Sequence, residues 1–414
     1  MVKYKINHRI SRTWKKPQTK WLFLTPVVLL VGFASILFAH SPQEKKIIEN
    51  ISSSAKGKGS SGPAGELKLA AVGDMLPHET VTDAAKTSGG GYDYSKLISP
   101  SLIKSFQSAD LRFCNQEAPS AEGLGVRGYP TFNAPQEFPK SLSSFGCNLI
   151  NTANNHANDF GQAGIKGTLG TWDKLGPLAK SGSYRSRGEA EKLNIIEKNG
   201  IKLGFTAFNE MNNQPLEGGD ISINMLSDSA RLEQQIKGLR AQSDVVIVSV
   251  HWGKENSHDL TKNQKDFAQR IADLGADIII GTGPHVWQPY VELSRSNGGV
   301  AHVWYSIGNG LNSQTTPDQL FSGIALLTIK RESDGKVSIS KPVIIPTYMH
   351  YIWGGSIGTA QSQLLARKDL SWNLLYDSEG LIASRNDFKT NVEAQVDALK
   401  RYVNNPNVEI LKSY

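Results

Sequence analysis

Cysteine is scarce in this sequence, with two residues among 414. A chain of this length with so few cysteines is neither a small disulfide-stapled domain nor a carrier of thiolate-bound soft metals. Glycine and proline, at 39 and 18 residues, do not reach the levels of collagen-like or disordered chains. The composition is that of a folded globular protein, for which the length predicts about two to three domains.

The body of the sequence lacks an excess of charge of either sign. The formal net charge is +7, and the first 20 residues supply all of it, with seven basic residues and no acidic one. The other 394 residues have 38 basic and 38 acidic side chains. Nucleic-acid-binding domains concentrate basic residues on their own surface, so this balance predicts that the body does not bind DNA or RNA.

One long apolar run is present, at 21–39, directly after the basic residues. Its 19 residues carry no charge, and as a helix they cover about 28 Å, enough to span a bilayer. The flanking charge predicts a cytoplasmic basic tail at 1–20, a transmembrane signal anchor at 21–39 and a single-pass cell-membrane protein with an extracytoplasmic body. A cleaved signal peptide and a buried core helix are the alternatives. Leu37, two residues before Ala39, is larger than a cleavage site prefers.

The sequence after the apolar run divides into three predicted parts. Residues 40–65 are rich in Ser, Gly and Lys and lack an apolar period, which predicts a flexible linker. The main domain is predicted at 66–348. A C-terminal extension at 349–414 is predicted to pack on that domain and to end in a helix near 391–403.

Within the main domain, apolar runs alternate with stretches of helical spacing. DVVIVSV and DIIIG are short, Val- and Ile-rich runs, whereas RLEQQIKGL and QKDFAQRIADLG place apolar residues three and four apart. The alternation predicts an α/β fold with strands buried on both faces and helices covering them. Asn199-Gly200 lies between two β-prone runs and predicts a hairpin.

Polar residues lie where the predicted strands end. They are Asp74 after LAAVG, Glu117 after RFCNQ, Asn154-Asn155-His156 after LINTA, His251 after VIVSV, and His285 four residues after DIIIG. Ligands bind open α/β sheets in the crevice outside the carboxyl ends of the strands, so these groups are expected to meet there. Carboxylate, amide and imidazole groups are ligands for divalent metals such as Mn, Zn or Fe.

Each of these residues also has an ordinary structural explanation. Asp74 after a glycine is typical of a helix N-cap, and Glu117 is typical of a solvated loop. The tripeptide at 154–156 can build a turn on its own side-chain hydrogen bonds. His251 can be satisfied by neighbouring backbone. Their joint placement after successive strands is what favours a shared site.

Six short motifs contain these residues and occur in a fixed order. They are Gly73-Asp74-Met75, Asn115-Gln116-Glu117, Asn154-Asn155-His156-Ala157-Asn158-Asp159-Phe160-Gly161, His251-Trp252-Gly253-Lys254-Glu255, Pro284-His285-Val286-Trp287-Gln288-Pro289 and Tyr305-Ser306-Ile307-Gly308-Asn309. Over roughly 67–310 the sequence thereby resembles the capsule-synthesis CapA family, also called the poly-γ-glutamate synthesis proteins. That family is similar to the calcineurin-type metallophosphoesterases. The resemblance implies a four-layer sandwich of two β-sheets flanked by helices.

The resemblance also implies roles for individual residues. Metal-ligand positions fall on Asp74, Glu117, Asn155, His251 and His285. His156 is implied as the acid or base. Independently of the resemblance, Asp159 or Glu255 is expected to orient a histidine through its second nitrogen, with a plain solvated carboxylate as the alternative for either. Substrate contacts are expected from Asn154, Trp252 and Glu255.

Two positions depart from the phosphoesterase pattern. Leu76 stands where a second ligand follows the first aspartate, and Gly283-Pro284-His285 has one histidine where two are usual. The expected cofactor is therefore a divalent ion, Mn, Zn or Fe, as one or two ions, with direct polymer recognition without metal as the alternative.

Two functional classes remain open at this point. The first is a membrane-anchored factor for synthesis, export or attachment of an anionic capsule-type polymer such as poly-γ-glutamate, with membrane subunits of a polymer synthase as expected partners. The second is a metal-dependent hydrolase of phosphoesters or of amide bonds in an envelope polymer. The missing ligands favour the first.

Both cysteines are predicted to be free and buried. Cys114 would end one strand and Cys147 begin its parallel neighbour, an offset of about four residues or roughly 13 Å. Disulfide-bonded Cα atoms lie within about 7 Å.

Overall fold

The computed structural model of the chain describes most of the sequence after the predicted linker. The described residues are 65–216, 222–340, 342–354, 367–385 and 387–414. The predicted basic tail, anchor and nearly all of the linker lie outside them.

Strands and helices alternate along the first three quarters of the described chain. The strands are β1 (Glu66–Met75), β2 (Leu111–Gln116), β3 (Leu149–Asn151), β4 (Ala179–Ser181), β5 (Ser183–Tyr184), β6 (Asn194–Lys198), β7 (Ile201–Asn209), β8 (Ser222–Ile223), β9 (Val245–His251), β10 (Ile278–Thr282), β11 (Tyr290–Ser294), β12 (Val300–Trp304), β13 (Phe321–Arg331), β14 (Val337–Ile339), β15 (Val343–Trp353), β16 (Arg367–Leu374) and β17 (Glu409–Ile410). The α-helices are α1 (Glu79–Ala85), α2 (Pro100–Gln107), α3 (Glu137–Phe145), α4 (Gly161–Leu175), α5 (Arg187–Ala190), α6 (Ser229–Arg240), α7 (Lys262–Leu274), α8 (Glu379–Ala383) and α9 (Val392–Val403).

The strands form two large sheets and one small one. The first sheet has the order β16-β15-β13-β1-β2-β3-β4, with β14 and β17 paired at its side, and the second has the order β11-β12-β10-β9-β7-β6. Strands β1 to β4 are parallel to one another, as are β7, β9, β10 and β12. Parallel strands end at a common edge, so each sheet gathers the carboxyl ends of its central strands.

The two sheets pack face to face, and helices cover their outer faces. Side chains of both sheets share one core, in which the rings of Phe113 and Phe205 lie 6.3 Å apart. The outer face of the first sheet packs against α2 and α3, and that of the second against α6 and α7. The predicted α/β architecture of two sheets with flanking helices is confirmed. Burial on both faces explains why the central strands are almost continuously apolar.

Two local predictions are also confirmed. Strands β6 and β7 form the expected hairpin, with positive φ at both Asn199 (50°) and Gly200 (74°), as a two-residue turn requires. The C-terminal helix is α9, and the side chain of Asn391 caps it by accepting from the Ala394 N–H. Strand β15 runs through the boundary predicted at residue 348, and β16 and β17 extend the same sheet.

The predicted cell-membrane location is contradicted by the structure. No helix among the described residues is both long enough and apolar enough to cross a bilayer. The anchor predicted at 21–39 lies outside those residues.

The prediction of two free thiols is wrong, because Cys114 and Cys147 form a disulfide. The prediction placed both cysteines on strands, but Cys147 precedes β3 at the exit of α3. There Gly146, with a φ of 119°, ends the helix in the left-handed conformation and turns the chain. The Cα atoms are 5.8 Å apart, within the roughly 4.4–6.8 Å that a disulfide allows.

Candidate metal centre

The candidate site lies where the central strands of both sheets end. Asp74 is near the end of β1 and Glu117 follows β2 in the first sheet, while His251 ends β9 and His285 follows β10 in the second. Asp74 is tied to the loop after β12, since its N–H donates to the Gly308 carbonyl at 3.1 Å. Sequence positions more than 200 residues apart therefore meet at one edge.

Asp74 is the most highly bonded group of the centre. Its Oδ1 accepts from the Asn115 amide at 2.7 Å, and its Oδ2 from the Gly283 N–H at 3.0 Å and His285 Nδ1 at 2.9 Å. Burial alone would raise the pKa of this carboxyl, but the hydrogen bond and charge of His285 outweigh burial and hold the pKa below its ordinary value. Asp74 is therefore ionised and fixed in orientation.

Glu117 is buried beside Asp74 but is not satisfied by the protein. The residue is 0% exposed, and neither carboxyl oxygen has a hydrogen-bond partner. Burial and then the charge of Asp74 raise the pKa of Glu117 well above its ordinary value. A buried carboxyl without a partner is strongly disfavoured unless something else compensates it.

The two histidines face Glu117 with the same ring atom. His251 Nε2 is 3.6 Å and His285 Nε2 is 3.7 Å from Glu117 Oε1. The opposite nitrogens are occupied, since His251 Nδ1 lies 3.1 Å from Thr282 Oγ1 and His285 Nδ1 is bonded to Asp74. Burial lowers the pKa of His251 to about 3, so its ring is neutral near pH 7. With Nδ1 protonated, each ring directs a lone pair toward the carboxyl oxygen.

The loop that carries His285 is held in an unusual conformation. His285 has a φ of 63°, uncommon for a residue other than glycine, and Gly283 has a φ of 106°. A Cβ on Gly283 would lie 2.8 Å from the Trp252 carbonyl and 3.1 Å from His251 Nε2. The loop therefore packs closely against His251. Strained backbone of this kind is typical of functional sites.

These residues fit a divalent metal ion. Ligand atoms of Asp74, Glu117 and His285 all lie within 4.8 Å of one another. A cation between the groups would satisfy both histidine nitrogens and the Glu117 carboxyl oxygen at once, and the donor set suits Mn, Zn or Fe. In metal sites, a histidine ligand is usually held in orientation by a hydrogen bond from its other ring nitrogen, as both histidines are here.

The predicted asparagines differ in their surroundings. Asn154 donates to the Gln116 carbonyl at 2.8 Å and to Asn115 Oδ1 at 3.4 Å, so it braces the end of β2. Asn155 is 5% exposed and its Oδ1 has no hydrogen-bond partner. The Oδ1 of Asn154 also lacks a partner, so what distinguishes the two residues is that the Asn154 amide nitrogen is bonded within the protein.

His156 and Asp159 form a hydrogen-bonded pair. His156 Nδ1 is 2.7 Å from Asp159 Oδ2, and that oxygen also accepts from the Phe132 N–H at 2.8 Å. The Asp159 side chain is fully buried, whereas His156 retains some exposure. A groove of about 530 Å³ begins at Asp159 and runs along Phe160 and Gln214. Asp159, and not Glu255, is thus the carboxylate that orients His156.

The other two predicted substrate contacts, Trp252 and Glu255, differ in exposure. Trp252 is 2% exposed, its indole N–H donates to the Tyr305 carbonyl at 2.8 Å, and it packs in the outer core of the second sheet. The substrate contact predicted for Trp252 is therefore corrected to a core role. Glu255 is exposed. Its charge contributes to the raised pKa of both Glu117 and His285, which places it near the mouth of the site.

Three residues of the centre were not predicted to have a role. Asn115 bonds Asp74 and lies 3.3 Å from His251 Nδ1, Thr282 contacts His251, and Asn309 Oδ1 lies 3.1 Å from His285 Nδ1. All three follow the same rule as the predicted ligands, since each lies at or just past the end of a strand. Asn115 and Asn309 even stand within the quoted motifs, which was the available signal.

The stability of the metal-free protein is expected to fall as pH rises above the ordinary carboxyl range. The unfolded chain releases the Glu117 proton near the ordinary glutamate pKa of 4.5, whereas the folded protein retains it to higher pH. Folding then takes up a proton, and each pH unit costs about 1.4 kcal/mol until the folded-state pKa is reached.

Denaturant unfolding with a chelator present, between pH 5 and 8, measures this effect. Other groups also contribute to the pH dependence of unfolding, so the informative quantity is the difference in unfolding free energy between the wild type and Glu117→Gln. A difference that stays constant with pH would contradict the assignment.

Comparison with known proteins supports the resemblance to capsule-synthesis proteins. Residues 68–314 match the family described as bacterial capsule synthesis protein PGA_cap. The PGA biosynthesis protein CapA of Bacillus subtilis (strain 168) is 28% identical over 341 residues, which cover 80% of this chain and 83% of that protein. The capsule biosynthesis protein CapA of Bacillus anthracis is 28% identical over 188 residues, 43% of each chain. The matched segment 68–314 contains every residue of the candidate centre.

Solved structures show weaker similarity. The NAD nucleotidase NadN of Haemophilus influenzae aligns with 82% of this chain and 68% of its own, at 12% identity and a TM-score of 0.43. A hypothetical protein from Thermus thermophilus aligns with 68% of this chain and 99% of its own, at 15% identity and a TM-score of 0.40. Likeness at this level says nothing about activity.

Proposed function

Because the chain belongs to the bacterial capsule synthesis protein PGA_cap family, we propose that it acts in the synthesis, export or attachment of an anionic capsule polymer such as poly-γ-glutamate, through a divalent-metal centre. The observation that carries the metal centre is Glu117, a fully buried carboxyl without a hydrogen-bond partner that faces two histidine nitrogens. A cation satisfies all three groups at once.

The metal would be held by Asp74, Glu117 and His285, with His251 and Asn155 completing the set. A divalent ion bound there supplies Lewis-acid polarisation of a carbonyl or phosphoryl oxygen. The residues of the chain do the positioning, because Asp74 and Thr282 fix the rings of His285 and His251 through their Nδ1 atoms.

A single ion is favoured over two. Leu76, where a second ligand would be expected, is buried against Ala118 and Phe132 and offers no donor atom. Among the described residues, the only His, Cys, Asp and Glu cluster with metal-ligand spacing is the Asp74, Glu117 and His285 group.

A second function, hydrolysis of an amide or phosphoester bond of the polymer, is supported by the His156–Asp159 pair. Asp159 accepts the Nδ1 proton of His156, and Nε2, which has the Asn213 amide nitrogen at 3.4 Å, is the ring atom that would hold or donate a proton to a leaving group. The adjoining groove gives an extended substrate a place to lie.

Replacement of His156 by alanine separates the two functions. If the protein is a hydrolase, metal-loaded wild type should cleave a γ-glutamyl or phosphodiester substrate, and His156→Ala should lower kcat by about 10²- to 10⁴-fold because the proton donor is lost. Metal binding should be unchanged in the variant. Both properties are measured on the full chain, by product release and by calorimetry.

The matched control is His258→Ala, since His258 pairs with Asp318 at 3.2 Å and stacks on Tyr402 instead. Equal loss in both variants would contradict a proton-transfer role for His156. Polymer binding by the metal-loaded wild type without any turnover would exclude the hydrolase and leave the first function.

A further inference from the structure

Arg367, the first residue of β16, is a buried cation without a carboxylate partner in the described part of the chain. It is 3% exposed, and its Nη1 donates to the Ser313 carbonyl. Its Nε and Nη2 have no hydrogen-bond partner. A guanidinium keeps its charge at all ordinary pH values, so a buried one requires an anion to compensate it.

The neighbouring Arg385, although its Nη1 also lacks a hydrogen-bond partner, has the carboxylate that Arg367 lacks. Both guanidinium groups lie over the ring of Tyr351, at 5.1 Å for Arg367 and 4.0 Å for Arg385. Arg385 is held by Asp387 through two hydrogen bonds of 2.7 and 2.6 Å. Both oxygens of Asp387 are bonded to Arg385, so this carboxylate does not pair with Arg367.

The adjacent sequence does not supply the missing anion. Residues 355–366, which lead directly into Arg367, contain no Asp or Glu. In the ranges that the structure describes, no carboxylate lies within ion-pair distance of this guanidinium, whereas Arg385 and Asp387 are paired at 2.6 Å. The compensating group is therefore expected to come from a bound molecule.

Arg367 is linked to His156, beside the candidate metal centre, through three residues. Ser313, whose carbonyl accepts from Arg367, places its N–H 3.4 Å from Nδ1 of His78. The His78 ring packs edge-on against Phe132, with centroids 5.4 Å apart, and Phe132 packs against His156 at 4.6 Å. A continuous chain of contacts therefore connects Arg367 to His156.

Ser313 contributes a second unused group at the same point. Its Oγ is buried and has no hydrogen-bond partner. A hydroxyl next to a guanidinium with two free N–H groups matches the oxygen atoms of a carboxylate or a phosphate, which accept two parallel bonds from arginine.

We propose that Arg367 and Ser313 form an oxyanion subsite that binds a carboxylate or phosphate group of the substrate next to the metal centre. The inference rests on the proposed function, because it assigns a second contact to the same anionic polymer. In a γ-linked glutamate chain every unit carries one free carboxylate, so a unit next to the one at the metal presents the group that Arg367 lacks.

Calorimetric titration of the full chain in chelator-containing buffer tests the subsite without metal. The probes are inorganic phosphate and γ-glutamylglutamate, used separately. Wild type is expected to bind at least one of them, and Arg367→Met should bind it at least about 10-fold more weakly, because the charge-assisted bonds are lost. Arg367→Lys, which retains charge but not the planar fork, should fall between the two.

Thermal unfolding in the same buffer checks that the variants fold. Arg367→Met should melt at or above the wild-type temperature, since it removes an uncompensated buried charge. Arg385→Met is the matched control and should melt lower, because it leaves Asp387 unpaired.

A His251→Ala variant separates this subsite from the metal centre. Anion binding that persists in His251→Ala and is lost in Arg367→Met supports the subsite. Binding that persists in Arg367→Met, or is lost only in His251→Ala, or is absent from the wild type, overturns it. A separate metal titration of the wild type tests whether the metal centre binds an ion, and its result does not depend on the anion titration. Binding of phosphate alone or of the dipeptide alone assigns the group that the subsite recognises.

Discussion

Glutamine in place of Glu117 is expected to abolish tight binding of Mn²⁺ or Zn²⁺ and to stabilise the metal-free protein at the same time. Glu117 is the one carboxylate of the centre that accepts no hydrogen bond, and its nearest histidine nitrogens lie at 3.6 and 3.7 Å. The loss of affinity should be about 100-fold or more, larger than for an outer residue that only orients a ligand.

The stabilisation has a separate cause. At pH 8 the wild type must either keep a proton on Glu117 or bury its charge, and both cost free energy. Glutamine has nearly the same shape and no charge. The metal-free variant should therefore be more stable than the metal-free wild type at pH 8, by on the order of 1–3 kcal/mol.

Calorimetric metal titration and denaturant unfolding measure the two effects on the same samples. Glu255→Gln is the matched control, since Glu255 is an exposed glutamate at the mouth of the site and its loss should change affinity only a few-fold. A metal-binding centre that survives Glu117→Gln with unchanged affinity would be incompatible with the proposed ligand set. Equal stability of the two metal-free proteins at pH 8 would show that Glu117 is compensated in some other way.

Strand ends were the part of the site that sequence could locate. Apolar runs such as VIVSV have an unambiguous end, and the first polar residue after each one must lie at the edge of the sheet. That reasoning found Asp74, Glu117 and His251 without any knowledge of how the strands are ordered. It works because parallel strands in one layer all end on the same side.

The hydrogen-bond partners of each side chain could not be predicted from the ends of the apolar runs. Nothing in the sequence distinguishes Asp74, which accepts three hydrogen bonds, from Glu117, which accepts none. That difference depends on which loops approach from the second sheet, and above all on the left-handed turn at Gly283. The sequence also left two roles open for Trp252, a substrate contact and packing against the sheet, and the structure shows the packing role.

Loss of the Cys114–Cys147 disulfide is expected to lower the free energy of unfolding by roughly 4 kcal/mol. The bond closes a loop with a sequence separation of 33, and the chain-entropy account of disulfides gives this value for such a loop. Both cysteines are almost fully buried in the core between the first sheet and its helices. The double variant Cys114→Ala, Cys147→Ala therefore also loses some packing, which adds to the entropic effect.

The disulfide should affect stability far more than metal affinity. Cys114 is one residue from Asn115 and three from Glu117, so the bond anchors the strand that carries two groups of the centre. That strand is nevertheless held by β1 on one side and β3 on the other. Once folded, the variant should keep its metal affinity within a few-fold.

Denaturant unfolding and metal titration of the variant separate the two effects, with dithiothreitol-treated wild type as the control that should lose similar stability. A variant as stable as the oxidised wild type would mean that β2 and the exit of α3 are held together by packing alone, and a variant that folds but no longer binds metal would mean that the disulfide sets the position of Glu117.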